Sequence, residues 1–199
     1  MQKILILLFS LIIVLNYSCN EKYTKTKQST PIQIPKNEIN YLKLGRDIAL
    51  STKAVLGSNL MQTISKKGTE EAIKFCNTNA NLLTDSTALL LNAKVKRVSD
   101  KNRNPKNYAN KQELDYINSM KEVLKSGGKL NGKIIEHKNK MIGYYPIITN
   151  QACLQCHGNT KNDIEPKVLE KIDLLYPKDL AINYKNNELR GIWVIEMDK

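Results

Sequence analysis

The chain has 199 residues, a net charge of +12 and 41% hydrophobic residues. That length supports one domain with a tail and can bury a core without disulfide staples, and the apolar share excludes wholesale disorder. Of 31 basic residues 27 are Lys, spread along the chain, and Arg is confined to Arg46, Arg97, Arg103 and Arg190; a nucleic-acid binder clusters its charge and favours bidentate Arg, so no nucleic-acid partner is expected.

Met1, Gln2 and Lys3 give a short positive start, and Ile4 to Leu15 is apolar apart from Ser10. The run suits a secretory signal and is short for a membrane span. It ends at Leu15-Asn16-Tyr17-Ser18-Cys19, where a small residue precedes a cysteine as in a bacterial lipoprotein cleavage box. Residues 1–18 are therefore expected to be a signal peptide and Cys19 the lipidation site, which places the protein outside the cytoplasm, anchored to a membrane and facing the periplasm or cell exterior. An uncleaved anchor helix and a soluble secreted protein are the alternatives. Residues 19–36, rich in Lys, Thr, Gln, Ser and Pro, read as a flexible tether, and 37–199 as the folded domain.

Within the domain, the spacing of Ile39, Leu42, Ile48, Val55, Leu60 and Ile64 predicts a long helix ending at Gly68. Thr69, Glu70 and Glu71 open a second helix carrying Ala72, Phe75, Cys76, Ala80 and Leu83. Ala88 to Leu91 is apolar and ambiguous. Lys94 to Ser99 alternates as a strand, and Asp100 to Asn110 is a loop in which Pro105 forbids a helix interior. Glu113 to Lys125 is an amphipathic helix stopped by Gly127 and Gly128. Lys133–Glu136 and Met141–Thr149 form a hairpin, Pro166–Leu175 a short helix, and Leu189–Met197 a last strand containing Trp193. Helices followed by about four antiparallel strands give an α+β domain.

Besides Cys19 and Cys76, two cysteines stand in Cys153-Leu154-Gln155-Cys156-His157. This is the spacing of c-type haem attachment: two thiols form thioethers with the porphyrin vinyl groups, and the adjacent imidazole becomes an axial ligand of the iron. One such motif means one covalent haem c. A redox dithiol would want a strand-then-helix setting, and the chain shows no βαβ pattern around the motif. A zinc site would need two more ligands, for which Cys76 and His137 are conceivable. The sixth iron ligand stays open on chemistry alone among Cys76, His137, Met61, Met120, Met141 and Met197.

Four stretches carry a family resemblance. They are Ala72-Ile73-Lys74-Phe75-Cys76-Asn77; Arg97-Val98-Ser99 running into Arg103-Asn104-Pro105-Lys106-Asn107; Tyr145-Pro146-Ile147 leading to Cys153–Gly158; and Tyr176-Pro177-Lys178-Asp179-Leu180-Ala181 followed by Arg190-Gly191. In this order they resemble the PAS-like monohaem c-type cytochrome-like proteins, a domain of unknown function also found as sensory modules outside bacterial membranes. The resemblance implies a PAS-like antiparallel sheet with helices packed around it. It also implies a haem iron ligated by His157 and by Cys76, whose thiolate would stabilise the ferric state.

Arg97 and Arg103 are candidates to pair with haem propionates, with loop bracing as the equal alternative. Tyr145 and Trp193 are core residues that could also wall the haem pocket. The expected function is a redox or small-gas haem sensor that signals through a partner protein. A single-haem electron-transfer cytochrome is the alternative. An enzyme such as a haem peroxidase ranks last, because His137 is the single spare histidine for distal acid–base work.

Overall fold

The structure, a computed structural model, describes residues 39–199. The expected signal peptide, Cys19 and the tether lie outside the described residues. Helix α1 (Tyr41–Thr78) opens with Asn40 accepting from the Lys43 backbone N–H. It breaks at Gly68 (φ 84°, ψ 168°), a conformation that costs glycine little and any L side chain more. The break expected there is present, but the helix after it stops at Thr78, and α2 (Ala80–Leu90) starts anew beyond Asn79. The single second helix of the sequence reading is thus two, and the ambiguous Ala88–Leu91 run is largely the end of α2. Leu89 and Leu90 lie exposed there.

Strand β1 (Lys94–Val98) is followed by a loop with one 3₁₀ turn at Pro105–Asn107, where Pro sits at the first position and needs no N–H. Helix α3 (Lys111–Lys125) begins with a capping box: Asn110 accepts from Glu113 N–H while the Glu113 carboxylate accepts from Asn110 N–H. Then come β2 (Lys133–His137), β3 (Lys140–Ile148), α4 (Gln151–His157), α5 (Pro166–Leu175) and β4 (Leu189–Asp198). The β2–β3 turn passes through Lys138 and Asn139, both in the left-handed region, as the two central residues of a tight hairpin turn require.

The four strands pair antiparallel in the order β1-β4-β3-β2, as the α+β reading expected. Because side chains alternate, one face presents Val95, Tyr145, Trp193, Ile195 and Met197, which pack with Ile48, Ala49 and Leu56 of α1 and Ala80 and Ala88 of α2. The other presents Val98, Tyr144, Ile192 and Val194 to Tyr116 and Ile117 of α3. Gly45 lets α1 lie against the first face, since a Cβ there would collide with the Tyr145 hydroxyl. A third cluster joins Ile73, beyond the Gly68 break, to Ile164, Val168, Ile172 and Tyr176. No helix among the described residues is long and apolar enough to cross a membrane.

Candidate functional site

Helix α4 follows β3 after two residues. Its start is fixed by Asn150, whose side chain accepts from the Cys153 backbone N–H. One helical turn presents Cys153 and Cys156, and His157 closes the helix. All three are half-buried. The segment after α5 returns alongside: the N–H groups of Asn183 and Tyr184 donate to the carbonyls of Gly158 and His157.

His157 Nδ1 lies 2.7 Å from the Ala181 carbonyl oxygen. A carbonyl can only accept, so Nδ1 carries the proton, and in the neutral ring Nε2 keeps its lone pair free. Burial pushes the imidazole well below the usual histidine range. The Arg103, Arg190 and Arg97 cations push the same way, while the Ala181 bond works against them. The ring is therefore neutral at neutral pH, the form that ligates a metal.

The short stretch of α1 beyond Gly68 brings Cys76 to this region. Thr69 Oγ1 lies 3.3 Å from Gln155 Oε1 of α4, and Ile73 packs in the cluster that Cys156 borders. Burial pushes the Cys76 thiol up, with the Arg97 and Arg103 guanidiniums pulling it down. Cys156 is pushed up to about 11, again by burial. Both thiols are protonated at neutral pH until an electrophile or a metal claims them.

The other expected ligands are elsewhere. His137 and Met120 lie on the α3 side of the sheet, and Met61 is 51% exposed. Met197 is buried with Met141 beside it in the core shared with Tyr145, and its Cε lies near Gly45. Among the described residues no three His, Cys, Asp or Glu side chains form a metal-ion cluster. With His137 across the sheet, the zinc alternative loses a proposed ligand.

The arginines divide. Arg103 is 9% exposed and Asp179 5%, and they form a buried ion pair through Nε and Nη2 at 3.0 and 2.9 Å. Arg103 Nη2 also donates to the Cys156 carbonyl at 2.6 Å and to the Ala181 carbonyl at 3.4 Å. Of the two roles expected for it, the structure shows bracing. Arg97 of β1 lies 5.6 Å from the Trp193 ring centroid, and its side chain makes no ion pair or hydrogen bond among the described residues. Burial works against its charge, and Cys76 favours it. The Tyr145 hydroxyl donates to the Leu42 carbonyl at 3.1 Å and holds the start of α1. Trp193 is buried between Arg97 and Tyr145 in the strand register.

Asp179 and Arg190 belong to the site although the sequence reading gave them no role. Arg190 donates to the Lys101 carbonyl and lies 5.3 Å from the Tyr184 ring, which meets His157 edge-on. Both sit in stretches singled out for the family resemblance, and that was the one signal that pointed to them. Together the residues offer an imidazole nitrogen, three thiols and an unpaired guanidinium around one junction, a set able to hold a metal-centred cofactor.

The crystal structure of the cyanobacterial haem protein Tll0287 is similar, with a TM-score of 0.59 at 20% identity over 81% of this chain and 98% of that one. At that identity the likeness establishes the fold. No curated protein matches the chain. A family model described as Tll0287-like matches residues 12–197, nearly the whole sequence. The chain belongs to the Tll0287-like family.

Proposed function

We propose that the chain is a haem protein that holds one haem c, thioether-bonded to Cys153 and Cys156, with His157 and Cys76 as iron ligands. The observation that carries this reading is the state of His157. Its Nδ1–H is taken by Ala181, and its free Nε2 stands directly after two half-buried thiols on one helical turn. The residues fit the group: the thiols suit the two vinyl carbons, the imidazole and the Cys76 sulfur suit ferric iron, and the unpaired Arg97 suits a propionate. The haem character of the similar Tll0287 structure supports the same reading.

When bound, such a haem supplies a one-electron couple, which a thiolate ligand would set low. What the chain's own residues do is fix the imidazole tautomer, shield the sulfurs from water and place a cation near the junction. We read the protein as a redox or small-gas sensor, lipid-anchored at Cys19 and facing the periplasm or cell exterior, that signals through a partner. The net charge of +12 favours a second reading, an electron carrier docking to an acidic redox partner.

Absorption spectra and a redox titration of the holoprotein beside Cys76→Ala test the ligands: the variant should lose the thiolate-ligated ferric spectrum and rise in potential. An unchanged ferric spectrum would remove Cys76. Ferrous protein that takes up CO or NO supports sensing, and indifference to both would leave electron transfer.

A further inference from the structure

The Ala181 carbonyl is shared. It accepts from His157 Nδ1 at 2.7 Å and from Arg103 Nη2 at 3.4 Å. Arg103 is held by Asp179, whose Oδ2 takes both Nε and Nη2, while Asp179 Oδ1 accepts from the Ala181 N–H at 2.8 Å. Leu180 N–H donates to the Asn102 carbonyl, and Arg103 Nη2 reaches the Cys156 carbonyl at 2.6 Å. One buried ion pair thus grips both peptide groups of Ala181 and the peptide that precedes His157.

A hydrogen bond from the far nitrogen makes a ligating imidazole more basic, in proportion to the strength of the acceptor. An acceptor that also serves a guanidinium has less electron density to offer the imidazole. We propose that Arg103, locked by Asp179, is a positioning residue that fixes the Ala181 carbonyl beneath His157 and limits its pull on the Nδ1 proton, so raising the potential of iron bound at Nε2. This rests on the haem reading above. A thiolate alone would drive the potential down, and the shared carbonyl opposes part of that fall.

The test replaces the ion pair by an uncharged pair, Arg103→Gln with Asp179→Asn, which leaves the net charge of the site unaltered. In the holoprotein the ferric/ferrous equilibrium should shift about tenfold toward ferric, about 59 mV downward for one electron. The His157 Nδ1–H, bonded to an undivided acceptor, should exchange with solvent more slowly. An unchanged or raised potential in a variant with normal covalent haem would overturn the inference and leave the haem reading intact. Wild-type protein without haem–thioether bonds, by the pyridine haemochrome spectrum, would remove both. Should the double variant not fold, nitrogen NMR of the wild-type holoprotein decides. The Arg103 guanidinium should show hindered rotation and protected Nη protons, whereas a freely rotating, solvent-exchanging group would contradict the proposal.

Discussion

The α3 side of the sheet and the junction of α1, α4 and the 176–190 segment bury polar groups in different ways. On the α3 side the buried carboxylate of Glu113 is answered locally, by Lys96 Nζ at 2.6 Å and by the Asn110 N–H at 2.8 Å. Both of its oxygens are engaged, beside a cluster of apolar side chains. At the junction, Arg97, Arg103 and Arg190 all lie near the His157 imidazole and the half-buried thiols, and the carboxylate of Asp179 pairs with Arg103 alone. An excess of buried cation is costly unless an anionic group completes it. The first arrangement closes on itself, and the second has capacity left over, which marks it as the site.

The largest expected effect breaks the junction itself. Asp179→Ala leaves Arg103 buried without its partner and the Ala181 N–H without an acceptor, and should cost about 3–5 kcal/mol in denaturant unfolding. Next come matched cavities on the two sides. Ile117→Ala under α3 and Ile73→Ala beside Cys156 empty sites that are 0% and 1% exposed, and each should cost about 2–5 kcal/mol. The spectra should separate them: Ile73→Ala should perturb the haem absorption, and Ile117→Ala should leave it as it is. Equal perturbation by both would dissolve the distinction between the two sides.

Most elements on both sides were legible in the sequence. Alternation marked β1, Pro166 stands at the start of α5, and Gly68 marked the break in α1, because each rests on local chemistry. The split at Asn79 was not legible, since Ala72 to Leu83 keeps its helical spacing across it. The Cys-Leu-Gln-Cys-His spacing pointed to α4, but the grip on it did not. Arg103 meets Asp179 across 76 positions, and nothing in either neighbourhood announces the pairing. For the same reason Arg103 read as equally suited to a propionate and to bracing.

Smaller effects sharpen the contrast. Asn110→Ala removes the capping box of α3 and should cost about 1 kcal/mol with no spectral change. Tyrosines on both sides should act alike and only at high pH. Burial pushes Tyr116, Tyr145 and Tyr176 up to about 12 from 10. Above pH 10 the unfolded chain then loses protons that the folded chain keeps, so stability is full below pH 10 and falls as pH rises toward 12. Phenolate absorbance followed together with unfolding checks this, and ionisation of these groups at their ordinary pH without loss of structure would refute it.

The central claim is that the α4 sulfurs hold an iron porphyrin. Protein matured beside a working cytochrome-assembly system, then denatured and weighed, should carry the added mass of one haem per chain and lose it in Cys153→Ala/Cys156→Ala. A colourless product with the mass of the polypeptide and its modifications alone would contradict the account.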